Sequence, residues 1–190
     1  MEELVIRSRA NKDFKLPYTE HTPFPVKAGP GRIVKGQLRR LPGDRAYAAA
    51  ESIAHNPDAV VTFNNVTRFA NNGSGVIIGG KATKNTANVL NVGFRIWLYQ
   101  SPFNLTAQGE DGGEFSIRWG RRDTRIGYLD FENFVMGTQC AESQGLIGLG
   151  QSLLFGMQEG NSLYGLVQTK RPYEAKSEEE IDFYLHISQD

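Results

Sequence analysis

Near its C-terminal end the chain alternates without a break. Ile181, Phe183, Leu185 and Ile187 are apolar, and Asp182, Tyr184, His186 and Ser188 sit between them. Period-two alternation marks a β-strand with one face in a core and the other toward water. Such a strand has to pair with something earlier. Upstream, Leu163 to Thr169 is a second apolar, β-leaning run, entered through the turn Glu159-Gly160-Asn161. Pro172 ends it, because proline cannot donate to a ladder. A charged connection with Glu174, Lys176, Glu178, Glu179 and Glu180 joins the two runs. The pair reads as a hairpin, and its last member as the closing strand of an all-β barrel or sandwich.

The rest of the chain repeats the theme. Ile33–Leu41 reads as a strand with Arg39 and Arg40 near its end, and Pro42-Gly43-Asp44 as a turn. Arg45–His55 is open: Ala46, Ala48, Ala49 and Ala50 suit a short helix, whereas Tyr47 and Ile53 suit an extended edge. Ala59–Phe63, Val76–Thr83, Asn91–Tyr99, Glu114–Trp119, Ile126–Phe131 and Ser152–Met157 read as strands from their β-branched and aromatic content. Residues 137–150 are ambiguous, although Gly145, Gly148 and Gly150 argue against helix. Sustained helical periodicity is missing, so a doubly wound fold is excluded. The expectation is an all-β, jelly-roll-like sandwich or barrel of about eight to nine strands over residues 33–190.

Residues 1–32 do not read as ordinary core. Pro17, Pro23, Pro25 and Pro30 favour an extended path, yet Leu16, Tyr18, Phe24 and Val26 are interleaved with them. The expectation is an extended N-terminal arm lying across a surface of its own domain or of a neighbour. Within Asn91–Tyr99, Phe94, Ile96 and Leu98 share one face and Arg95, Trp97 and Tyr99 the other. Bulk on both faces predicts that an arm or a partner covers the Trp97 side.

Twenty-one basic side chains balance twenty-one acidic ones. A neutral chain has no long-range electrostatic reason to seek nucleic acid. The balance conceals an asymmetry: residues 1–45 carry ten basic and five acidic side chains, while residues 174–190 carry six acidic and one basic. Ends of opposite sign attract within a molecule or between neighbours. Cys140 is the only cysteine, which excludes an internal disulfide and fits assembly in a reducing compartment. It is expected to be a buried structural thiol. The leading Met-Glu-Glu-Leu-Val-Ile-Arg lacks the basic start and long apolar core of a signal peptide, and no run approaches the length of a membrane helix.

Catalytic signatures do not emerge, and no enzyme, metal site or cofactor is expected. His21, His55 and His186 have no ligand-spaced partner. Gly73-Ser-Gly75 followed by Val76-Ile-Ile-Gly79-Gly80 resembles a phosphate loop only superficially. Asparagines precede it and a β-run follows, where a phosphate loop needs a strand and then a helix. Asp130 and Glu132 share a strand face, as solvated acids often do. Arg118, Arg121, Arg122 and Arg125 cluster around Asp123 and Trp119, which suits a salt-bridged subunit surface better than a phosphate backbone.

One further signal is the order of several phrases. Thr62-Phe63 precedes the run from Val66 to Ile77. Then come Phe94-Arg-Ile-Trp-Leu-Tyr with Ser101-Pro102, Arg125-Ile-Gly-Tyr-Leu-Asp-Phe, Ser162 to Tyr173, and the ending Phe183 to Asp190. Over about Val60 to Asp190 this resembles the head decoration, or cement, proteins of tailed bacteriophages. The resemblance implies a jelly-roll-like domain bound outside the icosahedral shell of major capsid protein. It implies a homodimer or homotrimer, assembled in the bacterial cytoplasm and resident on the virion exterior. No active site, membrane or direct nucleic-acid contact is implied. The interface candidates are Leu16, Tyr18, Phe24, Val26, Arg39, Arg40, Trp97, Tyr99, Arg121 and Arg122. The competing reading is a carbohydrate-binding sandwich of a tail or baseplate, with Trp97, Trp119, Tyr99 and Tyr128 as stacking platforms. An enzyme on a β scaffold comes third.

Overall fold

The strand that alternates most cleanly, Glu180–Ser188, is central to the sheet, with both of its edges in use. In the computed structural model, which describes residues 5–7, 13–15, 31–40, 42–53, 60–68, 73–102, 111–116, 119–148, 151–157 and 159–189, the fold is all-β. The strands are β1 (Val5–Arg7), β2 (Asp13–Lys15), β3 (Arg32–Arg39), β4 (Arg45–Tyr47), β5 (Ser52–Ile53), β6 (Val61–Phe63), β7 (Ser74–Lys84) and β8 (Phe94–Tyr99). They continue as β9 (Arg125–Phe131), β10 (Val135–Met136), β11 (Ala141–Ile147), β12 (Leu153–Gly156), β13 (Leu163–Thr169), β14 (Tyr173–Ala175) and β15 (Glu180–Ser188). A short 3₁₀ turn, Trp119–Thr124, leads into β9.

The main sheet runs β3-β15-β7-β11-β9-β8-β13-β5, with β12 continuing the line of β11 beside β7 and β6 continuing that of β5 beside β13. All of these pairings are antiparallel. The sheet curls into a half-barrel, and side chains of β3 and β6 meet across the opening. Gly36 makes that approach possible: a Cβ there would lie 2.5 Å from Val61 Cγ1 and 2.8 Å from the Phe63 ring. Inside lie Ile181, Phe183, Leu185 and Ile187 of β15, Phe94, Ile96 and Leu98 of β8, and Leu129 and Phe131 of β9, all essentially without exposure. Each such side chain contributes roughly 1.5–3 kcal/mol relative to leaving it in water. A second, smaller cluster forms outside the sheet, where Tyr99 and Leu166 are covered by Val60, Trp97, Phe115 and Tyr164.

Several expectations change. The Leu163–Thr169 and Ile181–Ile187 runs do not pair with each other: β13 lies between β8 and β5/β6, and β15 between β3 and β7. The intervening β14 instead pairs β4, so the connection crosses the structure rather than turning tightly. Arg45–Ile53 takes the extended alternative. Thr169 accounts for this: its hydroxyl donates to the Ala48 carbonyl, the Glu51 amide donates back to that hydroxyl, and the Ala50 amide donates to the Thr169 carbonyl. Those bonds occupy backbone groups that a helix would have needed. Of the stretch read as a strand over Glu114–Trp119, residues 114–116 form no strand beyond one bridge from Glu114 to Glu51, and Trp119 begins the 3₁₀ turn. Cys140 is exposed, in the hairpin loop between β10 and β11, rather than buried. In the stretch read as an arm, β1 and β2 pair as a small antiparallel ladder. Leu16, Tyr18, Phe24 and Val26 lie outside the described residues.

Candidate interaction surface

The outer face of the sheet is divided. Toward one end of β3, β15, β7 and β11, ion pairs lie side by side. Lys35 meets Asp182 at 2.7 Å, Gln37 donates to the same carboxylate at 2.9 Å, and Lys81 meets Glu142 at 3.2 Å. Arg39 lies 3.8 Å from Glu178 and 3.6 Å from Glu180, and Lys176 meets Asp44 at 3.0 Å. Lys35 and Arg39 of the basic N-terminal stretch thus meet Asp182, Glu178 and Glu180 of the acidic C-terminal stretch within the molecule, so this part of the face is close to neutral.

Toward the other end the same face is apolar. Ile33 of β3 stands opposite His186 of β15, which stands opposite Gly79 of β7. Leu146 of β11 lies one step beyond the Gly145–Gly80 pair and so flanks Gly79. Between His186 and Ile187 the β15–β7 register shifts, and Ile78 is the residue passed over. Leu154 of β12 pairs Val76 next to it. Ile33, Ile78, Leu146 and Leu154 are 66%, 61%, 63% and 61% exposed. Large apolar side chains gathered on one rigid face and rimmed by polar groups are a mark of a contact surface. Sequence reading missed this patch. Its signal was the adjacent pair Ile77-Ile78: alternation allows only one of two neighbours to point inward, and with Ile77 in the core Ile78 faces out.

On the far side, β8, β9 and β13 carry the aromatic set. Trp97 stacks on Phe115 with centroids 5.9 Å apart and planes 17° apart, and meets Tyr128 at 4.9 Å. Its indole nitrogen donates to Gln168 at 3.0 Å. The Arg95 guanidinium lies 3.8 Å from the Tyr128 centroid and donates to both Asp130 oxygens, at 2.7 and 2.8 Å. Lys170 reaches Asp130 at 2.8 Å and also bonds Glu132. Burial pushes the Asp130 carboxyl upward, but the Arg95 and Lys170 hydrogen bonds outweigh it and hold the group below the usual carboxylate range. Among the described residues, cover over Trp97 comes from Phe115 of the same domain, and Trp97 itself stays half-buried.

The candidates from sequence fall in different places. Arg39 is exposed on the ion-paired part of the outer face. Arg40 is 3% exposed; its guanidinium lies over the Tyr47 ring at 4.9 Å and 3.7 Å from Asp111. Tyr99 has no exposure at all. Arg40 and Tyr99 are therefore internal and present no interface surface in this fold. Trp97 is half-buried, Arg122 is exposed and pairs with Asp123 at 3.3 Å, and the side chain of Arg121 is outside the description.

Two polar clusters sit beneath the surface. In one, Tyr47 donates to Asp111 at 2.7 Å and Arg45 joins at 2.9 Å, tying the 111–116 segment to β4. In the other, Lys84 at the end of β7 meets Glu179 at 2.6 Å, with neither side chain exposed. Tyr173 and Thr86 also donate to that carboxylate. Burial lowers the Lys84 pKa against the pull of Glu179, and burial first and Glu179 second push the Tyr173 phenol up, so it stays a proton donor.

A recess of about 520 Å³ opens among Gln100, Ser101, Asp123, Met157, Asn161 and Tyr164. Among the described residues it brings no histidine or cysteine to a carboxylate. His186 sits on the outer face instead, and His55 is outside the description. No group of three His, Cys, Asp or Glu poised to hold a metal occurs among the described residues. No helix among them is long and apolar enough to cross a membrane. No protein-family model matches this chain, and no curated protein shows significant similarity to it.

Proposed function

We propose that this chain is a structural virion protein that binds the outside of a phage capsid and braces the shell against internal DNA pressure. The observation that carries the reading is the apolar patch of Ile33, Ile78, Leu146 and Leu154 on a rigid sheet beside a neutralised polar rim. Such a face is suited to a protein surface. The ordered phrases that resemble those of cement proteins suggest the kind of partner, the major capsid protein. Many copies on a symmetric shell make a modest single contact strong through avidity. A homodimer or homotrimer would multiply the contact further.

The sugar-binding reading is less well supported. Three of its four platforms are taken: Phe115 covers Trp97, Arg95 covers Tyr128, and Tyr99 is internal, while the side chain of Trp119 lies outside the described residues. A sugar ring needs an open aromatic face.

The test is the protein content of purified particles of the phage that encodes this chain. The expected result is a near-stoichiometric ratio to the major capsid protein, lost when Ile33→Asp and Leu154→Asp are combined. A few copies per particle would move the chain to the tail. Absence from the particle would overturn the proposal.

A further inference from the structure

Lys84 and Glu179 are placed for more than an ion pair. Both side chains are at zero exposure, so the pair sits where two charges are poorly solvated. Transfer of one proton from the ammonium to the carboxylate relieves both charges together. The Lys84 Nζ lies 2.6 Å from Glu179 Oε1, and it also donates to the Thr86 hydroxyl at 2.9 Å. That hydroxyl in turn donates to the same Oε1. A closed path for protons therefore runs from the amine through Thr86 to one carboxyl oxygen. The other oxygen, Oε2, accepts from the Tyr173 phenol.

We propose that Lys84 and Glu179 condense into an intramolecular isopeptide bond. The amine nitrogen attacks Glu179 Cδ, and the C–N bond forms. Charge developing on Oε2 is held by the Tyr173 hydroxyl, in the manner of an oxyanion site. The Cδ–Oε1 bond then breaks, and Oε1 leaves as water. Of the three protons on the ammonium, one stays on the amide nitrogen and two depart with Oε1. The balance is ammonium plus carboxylate giving amide plus water, with no oxidant, reductant or activating nucleotide.

Placement makes the step feasible. Ile181 pairs Lys84 in the β15–β7 ladder, so the two backbones are held in register two residues from Glu179. The Glu179 backbone is fixed on both sides: its amide donates to the Lys176 carbonyl, and its carbonyl accepts from the Arg40 amide. The reacting groups are thus positioned rather than searching. Closed surroundings also exclude the water that would reverse the reaction. The desolvated, lowered basicity of Lys84 keeps more of it as the free amine, the nucleophilic form.

The bond would tie the last third of the chain to the sheet. The β13–β15 region would then resist peeling away under load.

The experiment is intact-mass spectrometry of the full chain under denaturing conditions, with peptide mapping. The expected mass lies one water below that of the sequence, with a branched peptide joining Lys84 to Glu179 and no tryptic cut after Lys84. Lys84→Met should restore the full sequence mass, and Glu179→Gln should lose one ammonia in place of water. Thr86→Val and Tyr173→Phe should fold yet leave a larger unlinked fraction. A wild-type mass equal to the sequence, with free Lys84 and Glu179 peptides, would overturn the proposal.

Discussion

Gly36 of β3 and Val61 of β6 meet where the curled sheet turns back on itself, with room for hydrogen and nothing larger. A Cβ on residue 36 would stand 2.5 Å from Val61 Cγ1. Gly36→Ala is expected to force the two edges apart and to cost about 1–3 kcal/mol, as overpacking does. Denaturant unfolding checks it. A midpoint equal to wild type would mean that β3 and β6 are free to slide.

The Lys84–Glu179 pair predicts a sign as well as a size. Lys84→Met leaves a buried carboxylate with only hydroxyl donors and is expected to cost about 3–5 kcal/mol. Lys84→Met combined with Glu179→Leu removes the unpaired buried charge and is expected to be more stable than Lys84→Met alone, while staying below the cross-linked wild type. Equal destabilisation by the single and double variants would show that the unpaired carboxylate is not what destabilises Lys84→Met.

Asp130 predicts an acid limb. Its folded pKa is depressed, so its contribution to stability is present above the ordinary carboxylate range and is lost as pH falls through the lower, folded value. Unfolding midpoints are expected to drop as pH falls from that range. Asp130→Asn is expected to be less stable near neutrality and to show a shallower acid limb. A variant that tracks wild type at every pH would remove Asp130 from the account.

Phe115 predicts a spectroscopic signature. It covers Trp97 with nearly parallel rings. Phe115→Ala should cost about 2 kcal/mol, below the 3–5 of a fully buried phenylalanine. It should also shift Trp97 emission to the red. Unchanged emission would place the cover elsewhere.

The apolar patch predicts a separation of binding from folding. Ile33→Ser and Leu154→Ser each alter an exposed side chain, so each is expected to change stability by no more than about 0.5 kcal/mol. Both should weaken particle binding. Loss of stability with binding intact would make the patch a structural feature only.

Much of the fold was legible in the chain. The strands β3, β7, β8, β9, β12, β13 and β15 all lie where alternation or β-branched runs put them, because a half-buried strand imposes period two on its own residues. The 45–53 stretch was undecided, because the Thr169 bonds that settle it come from a residue more than a hundred positions away. Cys140 misled because free cysteine is usually buried, whereas a hairpin loop exposes it here.

The candidate surface was much less legible. Tyr99 and Arg40 looked like surface groups from local alternation, and both are internal. A second core outside the sheet covers one, and the Tyr47–Asp111 cluster encloses the other. Ile33, Ile78, Leu146 and Leu154 come from four strands spread over more than a hundred residues and become neighbours only through their pairing around β7 and β15.

What the sequence determined by itself was the period-two pattern, and with it an all-β chain with one dominant apolar face per strand. Composition added the opposite charges of its two ends. Which strand lies beside which was decided only in three dimensions. Each strand offers the same unpaired amides and carbonyls on both edges, so local chemistry does not choose a partner. The choice comes from burying every inward face at once, which placed β15 between β3 and β7. That choice in turn set Lys84 against Glu179 and gathered the apolar patch.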